Sequence, residues 1–260
     1  MPCVRKTAKT RSWIPPFYCN DGYYTAVIPF LNAEMITLEL AVFHPASTAI
    51  AEATGVQRIE LCENYAAGGL TPSIDLLHTT RKAYRGLVFV MIRPRSRDFV
   101  YTDSEFAEML QQVETFRSAG VDGFVTGMLD KVNTIDSKKL EAFMKACGPV
   151  PVTFHRAFDQ VEDWRNGLDV LIAAGCSRVL TSGGESNAWS GMERLREMID
   201  HAAGRIIILP GGGVRSTNAQ TIIDALGCSE LHSAAIPKGV VQPIADELEL
   251  KGLLSVCRSN

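Results

Sequence analysis

The sequence predicts an α/β protein built as a single (β/α)8 barrel. Eight short apolar runs each end in polar or glycine-rich residues. Helix-length segments fill the gaps between them, apart from the short loops around the fourth. Strand and helix alternating eight times with right-handed connections close into a barrel. The length agrees: 260 residues matches the roughly 250 that one such barrel takes.

In order, the runs are Thr37 to Phe43, Arg58 to Cys62, Met91 to Arg95, Val121 to Thr126, Thr153 to Arg156, Arg178 to Ser182, Arg205 to Gly213 and Glu230 to Ala234. After the second run, Thr71-Pro72-Ser73 supplies a capping hydroxyl and a stiff entry for a helix. Asp103 is expected to cap the helix after the third run, whose stripe of Phe106, Met109, Leu110 and Val113 faces the strands. Trp164, Leu168, Leu171 and Ile172 repeat that spacing after the fifth run. After the seventh, a helix is expected to begin near Ser216. These stripes are packing faces, and the chemistry is expected at the strand ends.

Composition narrows the function. A formal charge of −3 and the lack of a Lys/Arg run within the barrel exclude a nucleic-acid face. No apolar stretch reaches the roughly 18 to 20 residues of a membrane span, since Ile206 to Leu209 stops at Pro210 and three glycines. The seven cysteines are scattered, with no Cys-x-x-Cys pair. They predict a reducing, cytoplasmic setting. Residues 1–34 read as an irregular N-terminal extension: Arg5, Lys6, Lys9 and Arg11 precede the first acid, Asp21, and Pro15-Pro16 follows them. The barrel domain is then residues 35–260.

Strand alternation decides which side chains meet inside. Period two groups Glu39 with Ala41, Glu60 with Cys62, Met91 with Arg93, Thr153 with His155 and Glu230 with His232. Charged members are costly against the helix layer, so each group is assigned to the barrel axis. Glu39, Glu60, Arg93 and His155 therefore form the candidate catalytic cluster at the C-terminal ends of the strands, with Glu39, Glu60 and Arg93 expected to neutralise one another. A closed ion-pair plug is the competing structural reading. The second candidate site is Gly211, Gly212 and Gly213 after strand seven with Ser233 after strand eight. Glycines free backbone N–H groups to converge, and in barrels this place often binds phosphate.

The chain also carries a set of words in a fixed order: Leu38-Glu39, Arg58-Ile59-Glu60-Leu61-Cys62, Gly68-Gly69-Leu70-Thr71-Pro72-Ser73, Ile92-Arg93-Pro94-Arg95, Val152 through Asp159, Arg178 through Gly183, Pro210 through Gly213 and Glu230 through Ala234. Running from about residue 35 to 236, they resemble the copper homeostasis protein CutC family. The resemblance implies a TIM-type barrel domain, a cytoplasmic protein that self-associates as a homodimer or homotetramer, and copper handling through Cu(I) binding. It makes Cys62 the leading metal ligand. Family members commonly place a further cysteine two residues after the first-strand glutamate, where this chain has Ala41. Cys62 would then need Met91, His155 or a cysteine of another subunit beside it.

The residues alone support a different class as well, a barrel enzyme acting on a small anionic or phosphorylated metabolite. His155 or Glu60 would serve as acid and base, Arg93, Arg95 or Arg156 would hold an anion, and the glycine loop would take phosphate. No lysine stands at a strand end. That disfavours Schiff-base chemistry and leaves isomerase or lyase reactions. A divalent metal on Glu39, Glu60 and His155 is a further alternative.

Overall fold

The computed structural model describes residues 35–259, so the expectation of an irregular extension over 1–34 lies outside the described residues. Eight strands form one sheet: β1 (Thr37–Val42), β2 (Arg58–Leu61), β3 (Leu87–Met91), β4 (Gly123–Thr126), β5 (Val152–Phe154), β6 (Arg178–Thr181), β7 (Ile207–Pro210) and β8 (Glu230–Ser233). Each is followed by its helix: α1 (Pro45–Thr54), α2 (Ile74–Ala83), α3 (Asp103–Ser118), α4 (Ser137–Cys147), α5 (Trp164–Ala174), α6 (Met192–Ala202), α7 (Ala219–Leu226) and α8 (Glu247–Arg258). All strand pairs are parallel, in the order β7-β6-β5-β4-β3-β2-β1-β8. β7 and β8 lie side by side across the remaining seam without a ladder between them.

The strands are short and buried on both faces, as parallel strands covered by helices must be. Odd and even residues separate as the alternation predicts. Leu38, Leu40 and Val42 of β1, Ile59 and Leu61 of β2, and Val88 and Val90 of β3 pack outward against helix stripes that include Met109, Val113, Leu168 and Leu171. A second, small apolar cluster of Cys62, Phe89, Met91 and Val125 lies apart from that layer, with Phe43 against it.

Three local expectations are corrected. The third strand sits four residues earlier than its charged end suggested, because Leu87 to Val90 pair with Arg58 to Leu61. Arg93 is therefore beyond β3. Thr102, not Asp103, caps α3: its hydroxyl accepts from Glu105 N–H while Glu105 accepts from Thr102 N–H, a reciprocal capping box. The helix after the glycine loop begins at Ala219, since Ser216 spends both its N–H and its hydroxyl on Glu249 of α8.

Candidate functional site

The barrel interior begins with a floor of paired charges. Arg58 Nε donates to Glu39 Oε2 at 2.5 Å, and its Nη2 donates to Glu230. Arg178 Nε reaches the same Glu230 carboxylate at 2.8 Å. Both guanidiniums lie over Phe89, 5.1 and 5.2 Å from the ring centroid. Gly123 makes room for that ring, since a Cβ there would sit 2.4 Å from it. Two arginines face two carboxylates, which is how buried charge is kept neutral.

One level higher the pairing is incomplete. His232 Nδ1 sits 2.8 Å from Glu39 Oε1, and its Nε2 is 3.9 Å from Glu60 Oε2. Burial pushes Glu39 upward, but Arg58 and His232 outweigh it and hold the carboxyl at about 2. Glu60 goes the other way. Burial and the neighbouring Glu39 raise it to about 7 against the pull of His232. His232 is itself raised, because Glu39 and Glu60 overcome the penalty of burial.

Above this level a pocket of about 340 Å³ opens at the barrel mouth, with Ala41, Glu60, Met91, Arg93, His155, Arg156 and His232 among its lining. Arg93 is held at the rim: Nη1 donates to Ala67 O at 2.9 Å and Gly69 O at 3.1 Å, and the guanidinium lies 4.9 Å from the Phe99 centroid. The expected neutralisation of Glu39 and Glu60 by Arg93 is thus corrected. Arg93 follows the end of β3 and clamps a loop, while the partners of Glu39 are Arg58 and His232. Glu39 lies below the pocket, whereas Glu60, Arg93 and His155 line it. Arg95, a candidate anion holder, is bound to Glu105 and Asp98 instead.

Glycines 212 and 213 adopt left-handed backbone at φ +88° and +71°, which favours glycine. Their N–H groups donate to no acceptor among the described residues. Gly211 N–H is spent on Thr181 O at 3.0 Å, and the Ser233 hydroxyl is spent between Val214 O and Ala235 N–H. The anion-binding candidates therefore narrow to Gly212 and Gly213. Two arginines that line the same pocket stand with them. Arg156 is steadied by Asp159 and Ser182, with Nη1 3.2 Å from where a Gly212 Cβ would be, and Arg215 is tied to Ile236 O.

Cys62 is buried in the small apolar cluster with Met91. Burial first, and Glu60 second, push its thiol well above the ordinary range, so the thiolate that copper needs is opposed. Ala41 brings no second thiol to the wall. Among the described residues no three His, Cys, Asp or Glu are grouped to hold a metal. Glu39, Glu60 and His155 therefore do not form a three-ligand centre for a divalent ion.

Comparison with known proteins places these features in a family. The model of the CutC family matches residues 36–237. The human "Copper homeostasis protein cutC homolog" is 41% identical over 198 residues, covering 76% of this chain and 72% of its own. A family protein CutC of Citrobacter koseri is 44% identical over 201 residues, covering 77% and 80%. Among solved structures, the putative copper homeostasis protein CutC of Streptococcus agalactiae superposes with a TM-score of 0.71 at 31% identity, covering 77% of this chain and 99% of that one.

Proposed function

The chain belongs to the CutC family, and from that premise we propose that its barrel mouth binds a small anionic metabolite, phosphorylated or carboxylated, and moves a proton on it, as an isomerase or lyase does. One observation carries the reading. Glu60, Arg93 and His155 line a single pocket, and each keeps a buried polar atom without a partner among the described residues: Oε1, Nε and Nε2. An unpaired buried polar atom costs about 1–3 kcal/mol. Three such side chains on the wall of one cavity suit a ligand that completes their bonds. Glu60 near 7 is matched to taking and returning a proton at neutral pH. Arg156, Arg215 and the N–H groups of Gly212 and Gly213 suit the anionic end.

Calorimetry with inorganic phosphate and a panel of sugar phosphates tests this. Binding to the unaltered protein is expected, with loss in Gly212→Val and in Arg156→Met. If no member of the panel binds the unaltered protein, the glycines serve packing alone and the reading fails.

Copper(I) binding is the second reading, favoured by the Cys62 thiol and the Met91 thioether in one interior cluster, both soft donors. Anaerobic Cu(I) titration against a competing chelator separates the two. Stoichiometric binding lost in Cys62→Ser would favour copper, and no binding in either protein would remove it. The same proposal sets the protein in the cytoplasm, where the five free cysteines among the described residues stay reduced, as a homodimer or homotetramer that sedimentation velocity would read out.

A further inference from the structure

His155 enters the sequence argument as an acid or a base, and its surroundings assign it a different task. The residue follows β5, where its N–H donates to Thr126 O at 2.7 Å, and its ring caps the short 3-10 turn Arg156–Gln160. In that position Nδ1 accepts the N–H of Ala157 at 3.1 Å. An imidazole nitrogen that accepts carries no proton, so the one proton of the neutral ring sits on Nε2.

The ring has little freedom to exchange these roles. A Cβ on Gly127 would lie 2.4 Å from its Cε1 and Nδ1, and the Phe99 centroid is 5.0 Å from its own. Burial, reinforced by the nearby Arg93 charge, lowers the ring to about 3, which keeps it neutral at neutral pH. Nε2 is buried and meets no protein acceptor among the described residues, while the residue lines the pocket that Glu60 and Arg93 also line.

We propose that His155 is a neutral hydrogen-bond donor to a substrate carbonyl oxygen, and that the substrate is therefore a carbonyl compound with an anionic group, such as a phosphorylated sugar or a keto acid. This rests on the proton-transfer reading of the same pocket. Glu60 as carboxylate takes a proton from the carbon beside the carbonyl. The C–H electron pair becomes the C=C bond, and the C=O pair moves onto oxygen. The enolate oxygen then accepts the Nε2–H bond, which strengthens as charge develops, and when Glu60 returns the proton to the same carbon the oxygen pair re-forms the C=O bond and the neutral carbonyl.

Two measurements test the assignment. In 15N spectra of the histidine-labelled protein, Nδ1 is expected bare and Nε2 protonated, without titration from about pH 5 to about pH 8. A protonated Nδ1, or titration in that range, overturns the proposal. Binding is then compared for inorganic phosphate and for phosphoglycolohydroxamate, a phosphate-bearing mimic of an enolate oxygen. His155→Phe should weaken the hydroxamate about 10- to 100-fold, the worth of one hydrogen bond to a charged oxygen, and leave phosphate affinity unchanged. His155→Gln, which keeps an N–H near the Nε2 position, should restore most of the loss. Unchanged hydroxamate affinity in His155→Phe sinks the proposal while phosphate binding still upholds the site. Failure of both probes on the unaltered protein sinks the site reading first.

Discussion

Replacing Glu60 with glutamine keeps the outline of a protonated carboxyl and deletes its titration. The folded protein holds the Glu60 proton up to about 7, against 4.5 for the free group. That gap of about 2.5 pH units, at about 1.4 kcal/mol each, amounts to about 3.5 kcal/mol. The folded state binds this proton more tightly than the unfolded chain does. Its contribution is therefore whole below about pH 4.5 and is lost as pH climbs through about 7. The amide in Glu60→Gln has no such proton to lose. Glu39, Arg58 and His232 remain in both proteins, but His232 loses the share of its upward shift that Glu60 supplies, so the change across the window belongs to the Glu60–His232 pair. Urea unfolding of the two proteins at about pH 5 and about pH 8 should show the stability gap moving toward Glu60→Gln by about 2–3 kcal/mol across the window. Parallel profiles, or a gap moving toward the unaltered protein, would refute the argument that Glu60 is buried with its proton.

Other perturbations follow from the same geometry. Arg58→Met leaves Glu39 with His232 and Glu230 with Arg178 as their remaining partners, and should cost about 3–5 kcal/mol in chemical denaturation, with Glu39→Gln in the same chain recovering part of it. Gly123→Ala drives a methyl to 2.4 Å from the Phe89 ring. It should cost about 1–3 kcal/mol, and trimming the ring with Phe89→Leu should relieve most of that in a double-mutant cycle. Arg93→Met releases the carbonyls of Ala67 and Gly69. Limited proteolysis should then cut between residues 64 and 69 several-fold faster, while the thermal midpoint of the barrel changes little.

The alternation of side chains is legible in the sequence wherever a strand is correctly bounded, and it alone brings Glu39, Glu60 and His232 together. Arg58 shares the parity of Glu60, and Arg178 opens its strand the same way, yet both lie at strand starts. A search confined to strand ends passes them over, although a lone interior carboxylate ladder demands partners. The site residue Arg93 reads as part of a strand because Met91-Ile92-Arg93 looks extended up to Pro94, and a residue before proline is extended whether or not it is paired. Only the pairing of Leu87 with Arg58 shows where β3 lies. Ser216 resembles a helix cap in its local sequence. Its hydroxyl goes to Glu249, thirty-three residues away, and no local pattern encodes that. That Gly211 and Ser233 are occupied by Thr181 and Val214, while the N–H groups of Gly212 and Gly213 meet no acceptor among the described residues, is likewise set by contacts distant in sequence.

Seven strand junctions are stitched by backbone bonds, and the eighth, between β7 and β8, is not. The Ser233 hydroxyl spans it to Val214 O at 2.8 Å. The barrel wall therefore has a latch where a rung is missing, and opening it breaks side-chain packing more than backbone bonds. Amide exchange along β7 and β8 would report how often this seam opens. Gly212 and Gly213 stand at one lip of this latch and Ala234 at the other, all three on the wall of the same pocket. An anion seated there would supply the missing rung, and occupancy of the pocket would be felt as a tightening of the whole cylinder.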